Sequence, residues 1–97
     1  MSNLATNANA SPVVGANSFL NMTESGLVSG TPGNLLGVFC ASSTNGTLKL
    51  WNNTAASGAV LINTYELQLG WNPIPIRFSV ALYATIGNTA DITVSWS

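Results

Sequence analysis

The stretch Leu35-Leu36-Gly37-Val38-Phe39-Cys40-Ala41-Ser42-Ser43-Thr44-Asn45-Gly46-Thr47-Leu48-Lys49-Leu50-Trp51-Asn52 decides the fold class. Its first part, Leu35 to Ala41, is apolar on both phases of a two-residue repeat, the pattern of a central strand covered on each side. Asn45-Gly46 then interrupts the run. Both residues tolerate positive φ, which makes the pair the strongest short hairpin signal. Thr47 to Asn52 therefore reads as the returning strand, with Leu48 and Leu50 toward a core and Thr47, Lys49 and Trp51 outward.

The same alternation extends in both directions. Upstream, Met22 to Val28 is a β-favouring run interrupted by Gly26, and Ser29 to Asn34 is a loop by composition. Downstream, Asn53 to Gly58 reads as a second turn and Val60 to Leu69 as a strand with no purely polar face, so its register stays open. Gly70 to Ile76 holds Pro73 and Pro75, which remove donors and restrict the preceding residues, so it reads as an extended loop leading into an edge strand, Ile76 to Phe78. Ala81 to Ile86 is the next strand and Gly87-Asn88-Thr89 the next turn. Ala90 to Trp96 closes the chain with Ile92, Val94 and Trp96 on one face and Asp91, Thr93 and Ser95 on the other. No helical period survives over a useful window. The expectation is an all-β fold, a small antiparallel β-sandwich or jelly-roll-like barrel of about 6–8 strands.

A chain of 97 residues has room for one domain. Residues 21–97 carry the strand pattern, and residues 1–20, rich in Asn, Ala and Ser, read as an extended N-terminal arm. Leu4, Val13, Val14, Phe19 and Leu20 are too sparse for a core and sufficient to anchor such an arm on another surface. The same composition is also that of an unstructured terminus.

Only 5% of the chain is charged, through Glu24, Lys49, Glu66, Arg77 and Asp91, against roughly 25% in ordinary proteins. Asn, Ser and Thr supply the remaining polarity and make up about a third of the residues. Such a surface packs against a neighbour without stranding desolvated charges, the condition for a permanent interface. A secreted or glycan-rich setting would also tolerate it. Two cations cannot neutralise a run of phosphates, so nucleic acid is not an expected partner. No apolar run approaches the roughly 20 residues of a spanning helix, and no membrane partner is expected. Met1 to Asn7 has neither the basic nor the apolar region of a secretory signal, so synthesis in a cytoplasm is the expectation.

Histidine is absent and Cys40 is the single cysteine, which removes the usual nucleophile triads, Cys/His zinc sites and any disulfide within the chain. Glu24, Glu66 and Asp91 lie far apart in sequence with no flanking pattern of a glycosidase pair, and read as solvated groups or partners of Lys49 and Arg77. Cys40, inside an apolar strand, reads as a small buried hydrophobe. The glycines from Gly26 to Gly37 lack a strand–helix phosphate loop and read as turn and bulge residues. The Asn-x-Thr triplets at Asn21, Asn45 and Asn52 fit the glycosylation pattern by chance in so Asn- and Thr-rich a chain. No enzyme, cofactor or metal is expected. The aromatics carry the recognition potential: Trp51 on an outward phase, Trp71 beside the prolines, and Trp96 packed within the domain.

The stretch Gly46 to Gly58, followed by Pro75-Ile76-Arg77-Phe78 and Leu82 to Gly87, resembles segments of small structural proteins of tailed bacteriophages, across about the last sixty residues. Where those proteins carry an aspartate, Asn52 is neutral here, so a role for charge at that position does not carry over. The resemblance implies a virion component, most like a head decoration or cement protein, on the outer surface of the capsid. Its partner would be the major capsid protein, and the subunit would be a homo-oligomer, commonly a trimer. On that reading the protein interface comprises Leu4, Val13, Val14, Phe19, Trp71, Pro73 and Ile74, from the arm and the loop Trp71 to Ile74. A carbohydrate-binding module using Trp51 and Trp71 is the rival from another class, and a tail or baseplate subunit is a third reading.

Overall fold

The computed structural model describes residues 18–97. They form one antiparallel sheet of six strands: β1 (Ser18–Met22), β2 (Gly26–Ser29), β3 (Gly33–Trp51), β4 (Val60–Glu66), β5 (Gly70–Phe78) and β6 (Leu82–Trp96). β3 and β6 pair along their whole lengths, from Leu35↔Trp96 to Trp51↔Tyr83. On its other side β3 takes β5 along its first half and β4 along its second. β6 likewise takes β1 against its last residues and β2 against its first. The sheet is therefore four strands wide at either end of a long central pair.

A 19-residue strand drawn straight would be roughly 60 Å long at about 3.3 Å per residue. Phe78 pairs with Gly33 at one end of β3, and Tyr83 pairs with Trp51 at the other. The link from Phe78 to Tyr83 spans at most about 18 Å. β3 must therefore fold back so that its two ends approach one another. The Asn52 side chain fixes the meeting point. Its Oδ1 accepts from the amides of Val80 (2.8 Å) and Ala81 (3.4 Å), and its Nδ2 donates to Ser79 Oγ (2.9 Å). Both halves of the sheet contribute to a single buried cluster, with Leu35, Val38, Phe78, Ile92 and Val94 from one and Val28, Leu48, Leu50, Leu82 and Ala84 from the other.

Bulges bend a strand, and β3 and β6 carry paired irregularities near their middles. Thr44 pairs with Thr89 and Thr47 with Gly87, leaving Asn45-Gly46 opposite Asn88. Asn45 and Asn88 both take left-handed backbone, φ 53° and 61°. Asn88 Nδ2 donates to the Asn45 carbonyl at 2.7 Å, and the Gly46 amide donates to Ser43 Oγ at 2.9 Å. The turns expected at Asn45-Gly46 and at Gly87-Asn88-Thr89 are thus β-bulges inside continuous strands, not chain reversals. Positive φ at an Asn serves a bulge as well as a hairpin, and the ladder on the far side of the strand selects between them.

Three other expectations change. Ser18, Phe19 and Leu20, assigned to the arm, belong to β1 and pair with Trp96, Ser95 and Val94, while Leu4, Val13 and Val14 lie outside the described residues. Gly70 to Ile76 is strand throughout, because Pro73 and Pro75 point outward along a sheet edge where no donor is needed. Leu35 to Ala41 is central but open on one side, with Phe39 49% exposed. Its apolar residues reflect a core on one face and an accessible patch on the other.

Candidate interaction surface

Residues directly opposite one another in a ladder share a face, so the register defines two rows across the first half of the sheet. One row is Phe19, Ser95, Gly37 and Pro73; the next is Asn21, Thr93, Phe39 and Trp71. No residue in either row is charged. Phe19 is 77%, Phe39 49% and Trp71 51% exposed. Large aromatics left open together in adjacent rows form an exposed apolar patch rather than scattered surface apolarity. At the margin, Asn21 Nδ2 donates to Asp91 Oδ1 (2.8 Å) and to the Ile92 carbonyl (2.9 Å), which orients both side chains along the sheet.

Gly37 is the floor of the patch. A Cβ there would lie 2.7 Å from Cζ2 and 2.8 Å from Cη2 of Trp71, and 2.5 Å from the Asn72 carbonyl oxygen. The indole lies across the bare backbone of β3 and fills the place of the missing side chain. Gly37→Ala is expected to displace the indole, red-shifting its fluorescence, and to cost about 1–3 kcal/mol by overpacking; unchanged emission and urea midpoint would show that the ring does not need this floor.

Beneath Trp71 sits Asn72, 1% exposed and the buried polar residue among those described. Its Oδ1 accepts from the Gln68 amide (2.9 Å) and the Tyr65 hydroxyl (3.4 Å). Its Nδ2 lies within hydrogen-bond distance of the carbonyls of Gln68 (2.9 Å), Gly70 (3.0 Å) and Val38 (3.2 Å). These bonds fix the link from β4 to β5 and with it the start of the strand that presents Trp71 and Pro73.

The structure distributes the sequence-derived candidates unevenly. Phe19, Trp71 and Pro73 come together on one face, joined by Phe39. Ile74 does not join them: it is 5% exposed and packs in the core, because the strand alternation that turns Pro73 outward turns Ile74 in. Phe39 went unnoticed because a run apolar on both phases conceals which phase is open.

The second half has an outward row of its own, Leu27, Tyr83, Trp51 and Val60. Here Trp51 is half-buried, its Nε1 donates to Thr85 Oγ1 at 3.0 Å, and Lys49 Nζ sits 4.4 Å from its ring centroid. Its polar edge and one π-face are already engaged. Trp96 packs against the core, as expected. Cys40 is buried, and its thiol donates to the Ser42 carbonyl. Glu24 lies between β1 and β2, Glu66 ends β4 and Asp91 is within β6. Among the described residues no three metal-ligating side chains cluster, and no helix is long and apolar enough to cross a membrane.

No family model, curated protein or solved structure matches the chain.

Proposed function

We propose that this chain is a non-enzymatic structural protein of a bacteriophage particle, a decoration subunit that binds the assembled head from outside and stabilises it. The observation that carries the reading is the uncharged double row holding Phe19, Phe39, Trp71 and Pro73. Aromatics with few rotatable bonds, set in rows that hold no charge, are what the centre of a protein interface is made of. The phage-protein resemblance supplies the partner, the major capsid protein. A subunit that binds only the assembled shell stabilises that state by linkage, and repeated copies strengthen retention. The same reading takes the folded-back sheet as a small β-sandwich, supported by the meeting of the two ends of β3. Synthesis in the host cytoplasm and residence on the virion follow from the role.

Phe39→Ala and Trp71→Ala are each expected to weaken binding to purified, undecorated heads by about 2 kcal/mol or more, the size of an interface hot spot, while circular dichroism stays unchanged. Co-sedimentation reads the effect. Undiminished occupancy in the double variant would sink the proposal.

A second reading, carbohydrate binding, is favoured by Trp71 alone, an exposed ring on a face that also carries the hydroxyls of Thr93 and Ser95 on β6, beyond β3. Trp51 does not support it, since its ring and Nε1 are occupied. Glycan binding lost in Trp71→Ala, with no head binding, would select it.

A further inference from the structure

Four strands have a side that pairs with no described strand: β1, β2, β4 and β5. Open edges invite other strands, and proteins block them with prolines, kinks, bulges, charge or brevity. β5 carries Pro73 and Pro75. β4 carries Thr64 at φ 53°, ends on Glu66, and has register shifts on either side of Leu50. β2 has four residues and a shift between Leu27 and Ser29. β1, with five described residues, is short but has none of the other four. Ser18-Phe19-Leu20-Asn21-Met22 contains no proline, glycine or charge, and its ladder is the one among those described whose register runs unbroken, from Ser18↔Trp96 to Met22↔Ile92.

We infer that β1 pairs antiparallel with β1 of a second copy of this chain, about a twofold axis normal to the sheet. Strand addition needs a regular edge on both partners. A head-to-tail pairing would set β1 against a proline-bearing, kinked or shifted edge, whereas self-pairing sets the open edge on itself and closes. The near absence of charge removes the repulsion that would otherwise oppose two identical edges. Phe19, 77% exposed on this edge, lies on the same face as its symmetry mate close to the axis and loses exposure. The aromatic rows of two copies then form one continuous surface. The twofold differs from the threefold that the phage resemblance implies, and the inference rests on the edge itself, whatever the aromatic face binds.

Sedimentation equilibrium of the full chain is expected to give a dimer. Phe19→Lys and Phe19→Glu, which place like charges next to each other across the axis, should each raise the dimer dissociation constant about tenfold or more. An equimolar mixture of the two variants should recover a heterodimer. As a measurement independent of substitution, amide exchange over Ser18 to Met22 should slow with concentration in the unaltered protein. A monomeric or trimeric unaltered chain, a dimer indifferent to both substitutions, or concentration-independent exchange across β1 would overturn the inference.

Discussion

Asn72→Ala is expected to lower global stability by about 3 kcal/mol, because it strands the buried Val38 carbonyl, at about 1–3 kcal/mol, and removes the partners of part-buried backbone groups at Gln68 and Gly70. The carbonyls of Val38, Gln68 and Gly70 lose the side-chain amide as a donor, and the Gln68 amide loses its acceptor. The Val38 carbonyl is the buried partner, whereas the groups at Gln68 and Gly70 are part-buried. For a domain of this size such a loss lowers the melting temperature by about 15 °C or more. Asn72→Asp keeps the acceptor and removes every donor, so it should be no better tolerated. Urea and thermal unfolding followed by circular dichroism read the effect; a loss under about 1 kcal/mol would show that the link from β4 to β5 holds without this side chain.

The second large effect is expected at the fold-back. A Cβ on Gly46 would lie 2.7 Å from Ser43 Oγ, 2.9 Å from Ala90 Cβ and 3.1 Å from the Thr89 carbonyl oxygen. Ser43 Oγ is held by the Gly46 amide, and the other contacts are a β-carbon and a backbone atom of the paired strand, so none can swing away. Gly46→Val should therefore cost about 3 kcal/mol, near the upper end for overpacking. Asn45→Gly, one residue earlier, should be nearly neutral, since glycine adopts the φ of 53° without strain. The contrast separates a steric requirement at the corner from general sensitivity of the strand. Equal unfolding midpoints for the two variants would remove the corner's claim to bend the sheet.

Much of the fold is legible in the residues. The two-residue repeat, the turn residues between runs and the missing helical period give an all-β chain, and Ile92, Val94 and Trp96 turn to the core as their alternation requires. The outward setting of Trp71 and Pro73 is also readable, since prolines in an extended segment belong on an edge. Phe39 is not separable from its neighbours, because an unbroken apolar run does not say which phase meets solvent, and Ile74 goes with Trp71 and Pro73 only while Gly70 to Ile76 reads as a loop, which has no alternation to turn it inward. Asn72 looked like any other Asn in a chain full of them, and only burial among three carbonyls makes it a structural centre.

Local conformation and chain direction part company at Asn45-Gly46 and at Asn88. The sequence by itself determined that backbone there can enter the left-handed region, that strands flank it, and that the surface carries almost no charge. Only the tertiary structure decided that both sites are bulges set against each other, that β3 and β6 run on through them, and that both halves of one sheet contribute to a common core. The physical reason is that a positive φ costs the same in a hairpin as in a bulge, whereas pairing β3 with β6 along their whole lengths is a non-local gain that no short window of sequence contains.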